Sequence, residues 1–223
     1  MSAQLKKDPD LTILAVPKGR ILDELTPMLA TCGIVPEDDF FSDKSRKLQF
    51  KTNRQDLEII RVRAFDVATF VAYGAADIGV VGNDAMEEFG YSELYSPIDL
   101  KIGGCRLSIA CHTDDLEAIK NERASHIRIV TKYPNITKRY HEKLGIQAEC
   151  IKLNGAMEIA PCLGLARRIV DLVSTGSTLK ANNLTEIETI LDVSSRLVVN
   201  RSAQKTRPQA INEWITAFRK AVE

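Results

Sequence analysis

The sequence predicts an α/β protein built from two similar lobes, and three observations carry that expectation. Short apolar runs alternate with helical patterns along nearly the whole chain. A glycine stands just past most of the helical patterns, where a helix stops. A coarse echo also recurs: A-A-D-I-G-V-V-G ends at Gly82 and R-I-V-D-L-V-S-T-G ends at Gly176, with Asp77 and Asp171 94 positions apart. Alternation of this kind implies mostly parallel strands. The echo fits two α/β units, although two generic strand-turn-helix units would also produce it.

The elements follow in order. Strands are expected at Leu11–Val16, Leu48–Lys51, Leu57–Val62, Ile78–Val81, Leu107–Cys111, Ile127–Val130, Ala148–Leu153 and Ile169–Val173. Helices are expected at Ile21–Cys32 before Gly33, Asp66–Tyr73 before Gly74, Ala85–Phe89 before Gly90 and Pro134–Leu144 before Gly145. Pro27 should kink the first helix or mark the start of its regular part. Pro208–Val222 reads as an amphipathic helix with Ile211, Trp214, Ile215 and Phe218 on one face. The best crossover points are the G-G at Gly103 and the span near Asn182–Asn183. Residues 1–102 with 183–223 therefore form the expected first lobe, and 103–182 the second.

Bulk properties narrow the function. Thirty basic and thirty acidic residues cancel over 223 positions. A neutral chain has no electrostatic reason to hold nucleic acid non-specifically. The five cysteines are odd in number and scattered without C-x-x-C, which argues against a disulfide framework and against structural zinc. Most are expected to be small buried hydrophobes. The N-terminus lacks an apolar signal core, and no apolar run is long enough to span a membrane. A cytoplasmic protein is expected.

The strongest chemical signal is Asp171 to Asn182, D-L-V-S-T-G-S-T-L-K-A-N. Ile169–Val173 reads as a buried strand. Ser174, Thr175, Gly176, Ser177 and Thr178 then form a hydroxyl-rich turn into a short helix. Such a turn offers backbone amides, hydroxyls and a helix N-terminus to one point, which suits a phosphate monoester. Asp171 at the strand end could accept hydrogen bonds from ribose hydroxyls or help hold a metal. A strand, a turn and a Ser/Thr cap with no ligand is the bland alternative. The loop resembles the phosphoribosyl-diphosphate (PRPP) motif of phosphoribosyltransferases. Nucleobase-salvage enzymes carry two adjacent acids there, and some add an acid two residues before the glycine. Here those positions are Val170 and Ser174, which counts against that class.

Other clusters lie apart in sequence. P-K-G-R, Pro17 to Arg20, follows the first strand, where open α/β sheets bind ligands. Lys18 and Arg20 there suit diphosphate or triphosphate oxygens, although a solvated basic turn would look the same. S-R-K-L supplies Arg46 and Lys47. G-A-A-D-I-G-V-V-G-N-D brings small residues for close helix–strand packing and Asp84 at a helix start.

Taken together and in this order, K-G-R, S-R-K-L, R-A-F-D-V, G-A-A-D-I-G-V-V-G-N-D, D-L-K-I-G-G-C, T-K-Y-P-N, N-G-A-M-E-I-A-P and D-L-V-S-T-G-S-T-L-K-A-N-N-L resemble the ATP phosphoribosyltransferase family. The match runs from Leu11 to Asn200. The resemblance implies two α/β lobes of the type II periplasmic-binding-protein-like kind with a cleft between them. It implies transfer of the phosphoribosyl group of PRPP to N1 of ATP, the first step of histidine biosynthesis. It further implies Ser174, Thr175, Gly176, Ser177 and Thr178 on the 5-phosphate, Asp171 and Glu158 on the sugar or Mg²⁺, and Lys18 and Arg20 on the leaving diphosphate. Arg46 is implied to reach across a homodimer interface, Asp66 and Asp84 to lie near ATP, and Mg²⁺ to be held mainly through substrate. Only Arg201–Glu223 follow the matched region, so the chain looks like the short form, which works with a histidyl-tRNA-synthetase-like regulatory subunit. A non-catalytic two-lobed binding module shares the lobe pattern but does not explain K-G-R together with D-L-V-S-T-G-S-T.

Overall fold

A computed structural model describes residues 10–42 and 44–223. Apart from Asp10, the N-terminal stretch read for a signal core lies outside the described residues. The chain divides into two compact units, one running through Gly103 and resuming at Ser194–Glu223, the other Gly104–Val193.

The first unit opens with β1 (Thr12–Pro17), buried at all six positions. α1 (Arg20–Thr31), β2 (Gln49–Lys51), β3 (Leu57–Val62), α2 (Ala64–Ala72), β4 (Ile78–Gly82), α3 (Asn83–Phe89) and β5 (Leu94–Asp99) follow. The second unit holds β6 (Cys105–His112), α4 (Leu116–Lys120), β7 (His126–Thr131), α5 (Pro134–Lys143), β8 (Gln147–Lys152), β9 (Arg168–Val173), α6 (Ser177–Ala181) and β10 (Leu184–Val193). The chain then returns to the first unit as β11 (Ser195–Asn200), α7 (Arg201–Thr206) and α8 (Pro208–Val222).

The first sheet runs β2-β3-β1-β4-β11-β5 and the second β10-β6-β9-β7-β8. β3, β1 and β4 are mutually parallel, as are β9, β7 and β8. The remaining pairings, β2 with β3, β11 with β4 and β5, and β6 with β9 and β10, are antiparallel. Both sheets are therefore mixed, which corrects the mostly parallel expectation. β5, β10 and β11, all in antiparallel pairs, are the strands that sequence periodicity passed over. The return also comes at Val193–Ser194, not near Asn182–Asn183. Leu184–Val193 stays in the second sheet because it pairs along the length of β6, from Leu184 opposite His112 to Val193 opposite Cys105.

Strand alternation sorts the first unit into three layers. Leu14 and Val16 of β1 join Leu25 and Leu29 of α1 and Trp214 and Phe218 of α8 in one core. Ile13 and Ala15 point the other way, into a core with Val67 and Val71 of α2. Gly79 of β4 allows that second layer to approach: a Cβ there would lie 2.8 Å from side-chain methyls of both Val67 and Val71. In the second unit Val130, Ile169, Val173, Leu179 and Leu184 pack around Met157 and Ala160.

The helix stops follow the glycine reading. Gly33 and Gly145 have φ of 72° and 73°, a region costly for other residues. Each closes a Schellman motif, with Ile34 N–H donating to the Leu29 carbonyl and Ile146 N–H to that of His141. Pro27 lies inside α1 and does not mark its start. The cysteines are all free, but only Cys111 is fully buried and Cys162 is exposed, so the expectation of mostly buried thiols does not hold.

Candidate active site

In the first unit the expected residues gather at one edge of the sheet. β3, β1 and β4 are neighbours and parallel, so their C-terminal ends lie side by side. Lys18, Gly19 and Arg20 follow β1, Asp66 sits in the first turn of α2 after β3, and Asp84 in the first turn of α3 after β4. Lys18 N–H donates to the Val62 carbonyl at 3.1 Å, tying the two strand ends together. Arg46 reaches the same edge, because it leads into β2 and the Arg61 amide donates to the Leu48 carbonyl. It is exposed and pairs with none of the described residues. A pocket of about 400 Å³ next to this edge is lined by Lys18, Gly19, Asp23, Phe40, Ser45 and Arg61 among others.

Not all of these side chains are poised alike. Arg20 donates to the Gly103 carbonyl at 3.2 Å and lies 3.7 Å from Glu24, which itself accepts from the Gly103 amide. Its guanidinium thus braces the segment leading out of the unit. Asp66 is exposed, whereas Asp84 is buried. Asp77 proves to be structural: it precedes β4, accepts from Ile13 N–H at 2.8 Å and pairs with Arg207 of the C-terminal segment. Asp77 and Asp171 are therefore not equivalent in position, since Asp171 lies inside β9.

In the second unit β7 and β9 are parallel neighbours, and their C-terminal ends carry the other cluster. Gly176, with φ of 77°, ends the turn and begins α6. The hydroxyls of Ser174, Thr175, Ser177 and Thr178 lie on exposed residues. Thr175 Oγ donates to Ser177 Oγ at 3.0 Å. The backbone amides of Thr175 and Gly176 donate to none of the described residues, which leaves them open to solvent or to an acceptor from outside the chain. Asp171 is half-buried, and burial pushes its carboxyl up to about 6. The negative charge of Glu158, on a turn at Met157–Ile159, adds to that rise, while its own Leu172 amide and the cation of Lys132 oppose it.

Three charged residues escaped the sequence reading. Arg63 is exposed just past the end of β3, as Lys18 is just past the end of the neighbouring β1. Lys132 follows β7, close enough to lower the Asp171 pKa. Arg106 of β6 reaches the Ser174 carbonyl of the turn at 3.1 Å. The signals were present in R-V-R-A-F-D and T-K-Y-P-N, but a lone cation beside a strand has no periodicity to mark it.

The ATP phosphoribosyltransferase family model matches residues 63–220. An ATP phosphoribosyltransferase of Paramagnetospirillum magneticum is 60% identical over 213 residues, covering 95% of this chain and 97% of that protein. The chain belongs to the ATP phosphoribosyltransferase family. A second relative so named, from Rhizorhabdus wittichii, is 61% identical over 211 residues, 95% of this chain and 96% of that protein. Among solved structures, the ATP phosphoribosyl transferase (HisG:HisZ) complex from Thermotoga maritima superposes with a TM-score of 0.77 at 30% identity, covering 95% of this chain and 98% of its own. The alkanesulfonate-binding protein SsuA from Xanthomonas axonopodis matches with a TM-score of 0.56 at 13% identity, over 97% of this chain and 74% of that one. That likeness concerns fold alone, and it agrees with two α/β lobes of the periplasmic-binding-protein-like kind. As an ATP phosphoribosyltransferase, the protein joins the 5-phosphoribosyl group of PRPP to N1 of ATP, the first step of histidine biosynthesis.

Proposed function

We propose the following division of labour for that transfer. The turn Ser174–Thr178 holds the 5-phosphate of PRPP, and Asp171 accepts hydrogen bonds from the ribose hydroxyls. Fixing the sugar at both ends places C1 for attack, an entropic contribution. N1 of the adenine forms the new bond to C1 as the bond from C1 to the diphosphate oxygen breaks, and the electron pair leaves with the diphosphate. Lys18, Arg20 and Arg63 stabilise the charge growing there. Asp66 and Asp84 lie toward ATP. The observation that carries this reading is the pair of amides at Thr175 and Gly176, unpartnered among the described residues, in a hydroxyl-rich turn beside Asp171.

Magnesium fits the donor set. Glu158 and Asp171 are carboxylates close enough to interact electrostatically, and Mg²⁺ takes hard oxygen ligands. No group of three or more His, Cys, Asp or Glu forms a metal cluster among the described residues. Diphosphate oxygens and water would supply the remaining ligands. Held there, such an ion would supply neutralising charge to the departing diphosphate.

Assembly completes the reading. Arg46 contacts phosphate in the neighbouring subunit of a homodimer. The Thermotoga maritima neighbour is a complex of HisG with HisZ, which supports a hetero-oligomer of this chain with a regulatory subunit. Among the described residues no helix is long and apolar enough to cross a membrane.

Thr178→Ala tests the central assignment. PRPP affinity measured by calorimetry should fall on the order of tenfold, the scale of one charge-assisted hydrogen bond lost. Unchanged affinity would remove the turn from the site.

A further inference from the structure

Arg106 sits on β6, two residues past the Gly104 that opens the second unit. Each of the three nitrogens of its guanidinium makes a hydrogen bond. Nε and one terminal nitrogen donate to the two carboxylate oxygens of Glu186 on β10, each at 2.6 Å. The other terminal nitrogen donates to the Ser174 carbonyl at 3.1 Å. Ser108, two residues along β6 and so on the same face of the strand, donates its hydroxyl to Glu186 at 2.7 Å. Thr189 Oγ lies 3.4 Å from the same oxygen. Arg106 and these hydroxyls hold the Glu186 carboxyl down at about 2, so it stays charged throughout the neutral range.

The pair is too exposed to matter chiefly for stability. Its side chains are 36% and 26% accessible, and such ion pairs contribute little net free energy. Its geometric effect is larger. A bidentate carboxylate fixes the plane of the guanidinium, and with it the direction in which the other terminal nitrogen donates to Ser174. In a trans peptide the carbonyl and the following N–H point in opposite directions. Anchoring the Ser174 carbonyl on Arg106 therefore turns the Thr175 amide away from β6, and that amide has no partner among the described residues.

We propose that Arg106, locked by Glu186, is a positioning residue that aims the Thr175 amide at the 5-phosphate of PRPP. The inference rests on the reading of Ser174–Thr178 as the phosphate loop. It predicts an effect on one substrate alone. Arg106→Met removes the fork but keeps an unbranched stem. In the whole chain with ATP, PRPP and Mg²⁺, its KM for PRPP should rise about tenfold or more, as expected for a binding group displaced by less than an ångström. Its KM for ATP should stay within about twofold, and Arg106→Lys should recover part of the loss, because an ammonium lacks the fork. Glu186→Gln should reproduce the PRPP defect, and the double variant should be no worse than the worse single, since both act on one peptide. If Arg106→Met fails to fold by circular dichroism, Glu186→Gln carries the same test alone. A parallel rise in both KM values, or additive defects, would overturn the proposal. So would unchanged PRPP kinetics in a protein whose Thr178→Ala variant is impaired. If Thr178→Ala itself binds PRPP normally, the loop reading fails first and takes this inference with it.

Discussion

Asp171 joins the chemistry of the site to the stability of the fold. Its carboxyl rises to about 6 mainly because it is buried beside Glu158. A protonated Asp171 loses part of its capacity to accept from two ribose hydroxyls, so kcat/KM for PRPP should fall as pH drops through about 6. Asp171→Asn should flatten that limb at low activity, and a wild-type limb that persists in the variant would assign the titration elsewhere. Linkage has the opposite sign for stability. A raised pKa means that the folded state binds the proton more tightly, so the contribution is present at low pH and lost as pH rises through the folded value. Asp171→Asn should therefore raise Tm more at pH 8 than at pH 4, a cost of keeping a carboxylate where the substrate needs one.

At the scale of elements, α8 packs its amphipathic face on its own unit. The apolar stripe Ile211, Trp214, Ile215 and Phe218 is buried within the first unit's own core. Trp214 is 4% exposed, and the Arg54 guanidinium lies 4.9 Å from its ring centroid. Trp214→Ala should cost about 3–5 kcal/mol in chemical denaturation, the range for emptying a core site of this size. A change under about 0.5 kcal/mol would mean that the helix serves a surface instead. β10 and β6 act together in the second unit: they carry Glu186 and Arg106, and they are the strands that begin and end at the crossovers at Gly103–Gly104 and Val193–Ser194.

At the scale of the molecule, the proposed homodimer makes each site depend on two chains. Arg46→Ala and Thr178→Ala variants should both be impaired when assayed separately. After co-refolding in equal amounts, random pairing should restore about a quarter of wild-type activity, because each mixed dimer keeps one site free of both changes. No recovery in the mixture would place Arg46 in its own chain's site or outside the site altogether.

The sequence by itself determined the fold class, the glycine-closed helices, the hydroxyl-rich turn after β9 and the family. Each of these is written in local patterns: apolar periodicity, residues that tolerate positive φ, and short motifs in a fixed order. Tertiary structure decided what depends on partners distant in the chain. The crossover point followed from β10 pairing with β6, and the antiparallel edges from strands with no alternation of their own. Asp77 became a structural residue because Ile13 and Arg207 meet it, far away in sequence. Arg106 became part of the site because Glu186, 80 residues on, fixes the direction of its fork. A local pattern reports what one segment prefers, but the direction of a charged side chain is set by whichever segment folds against it.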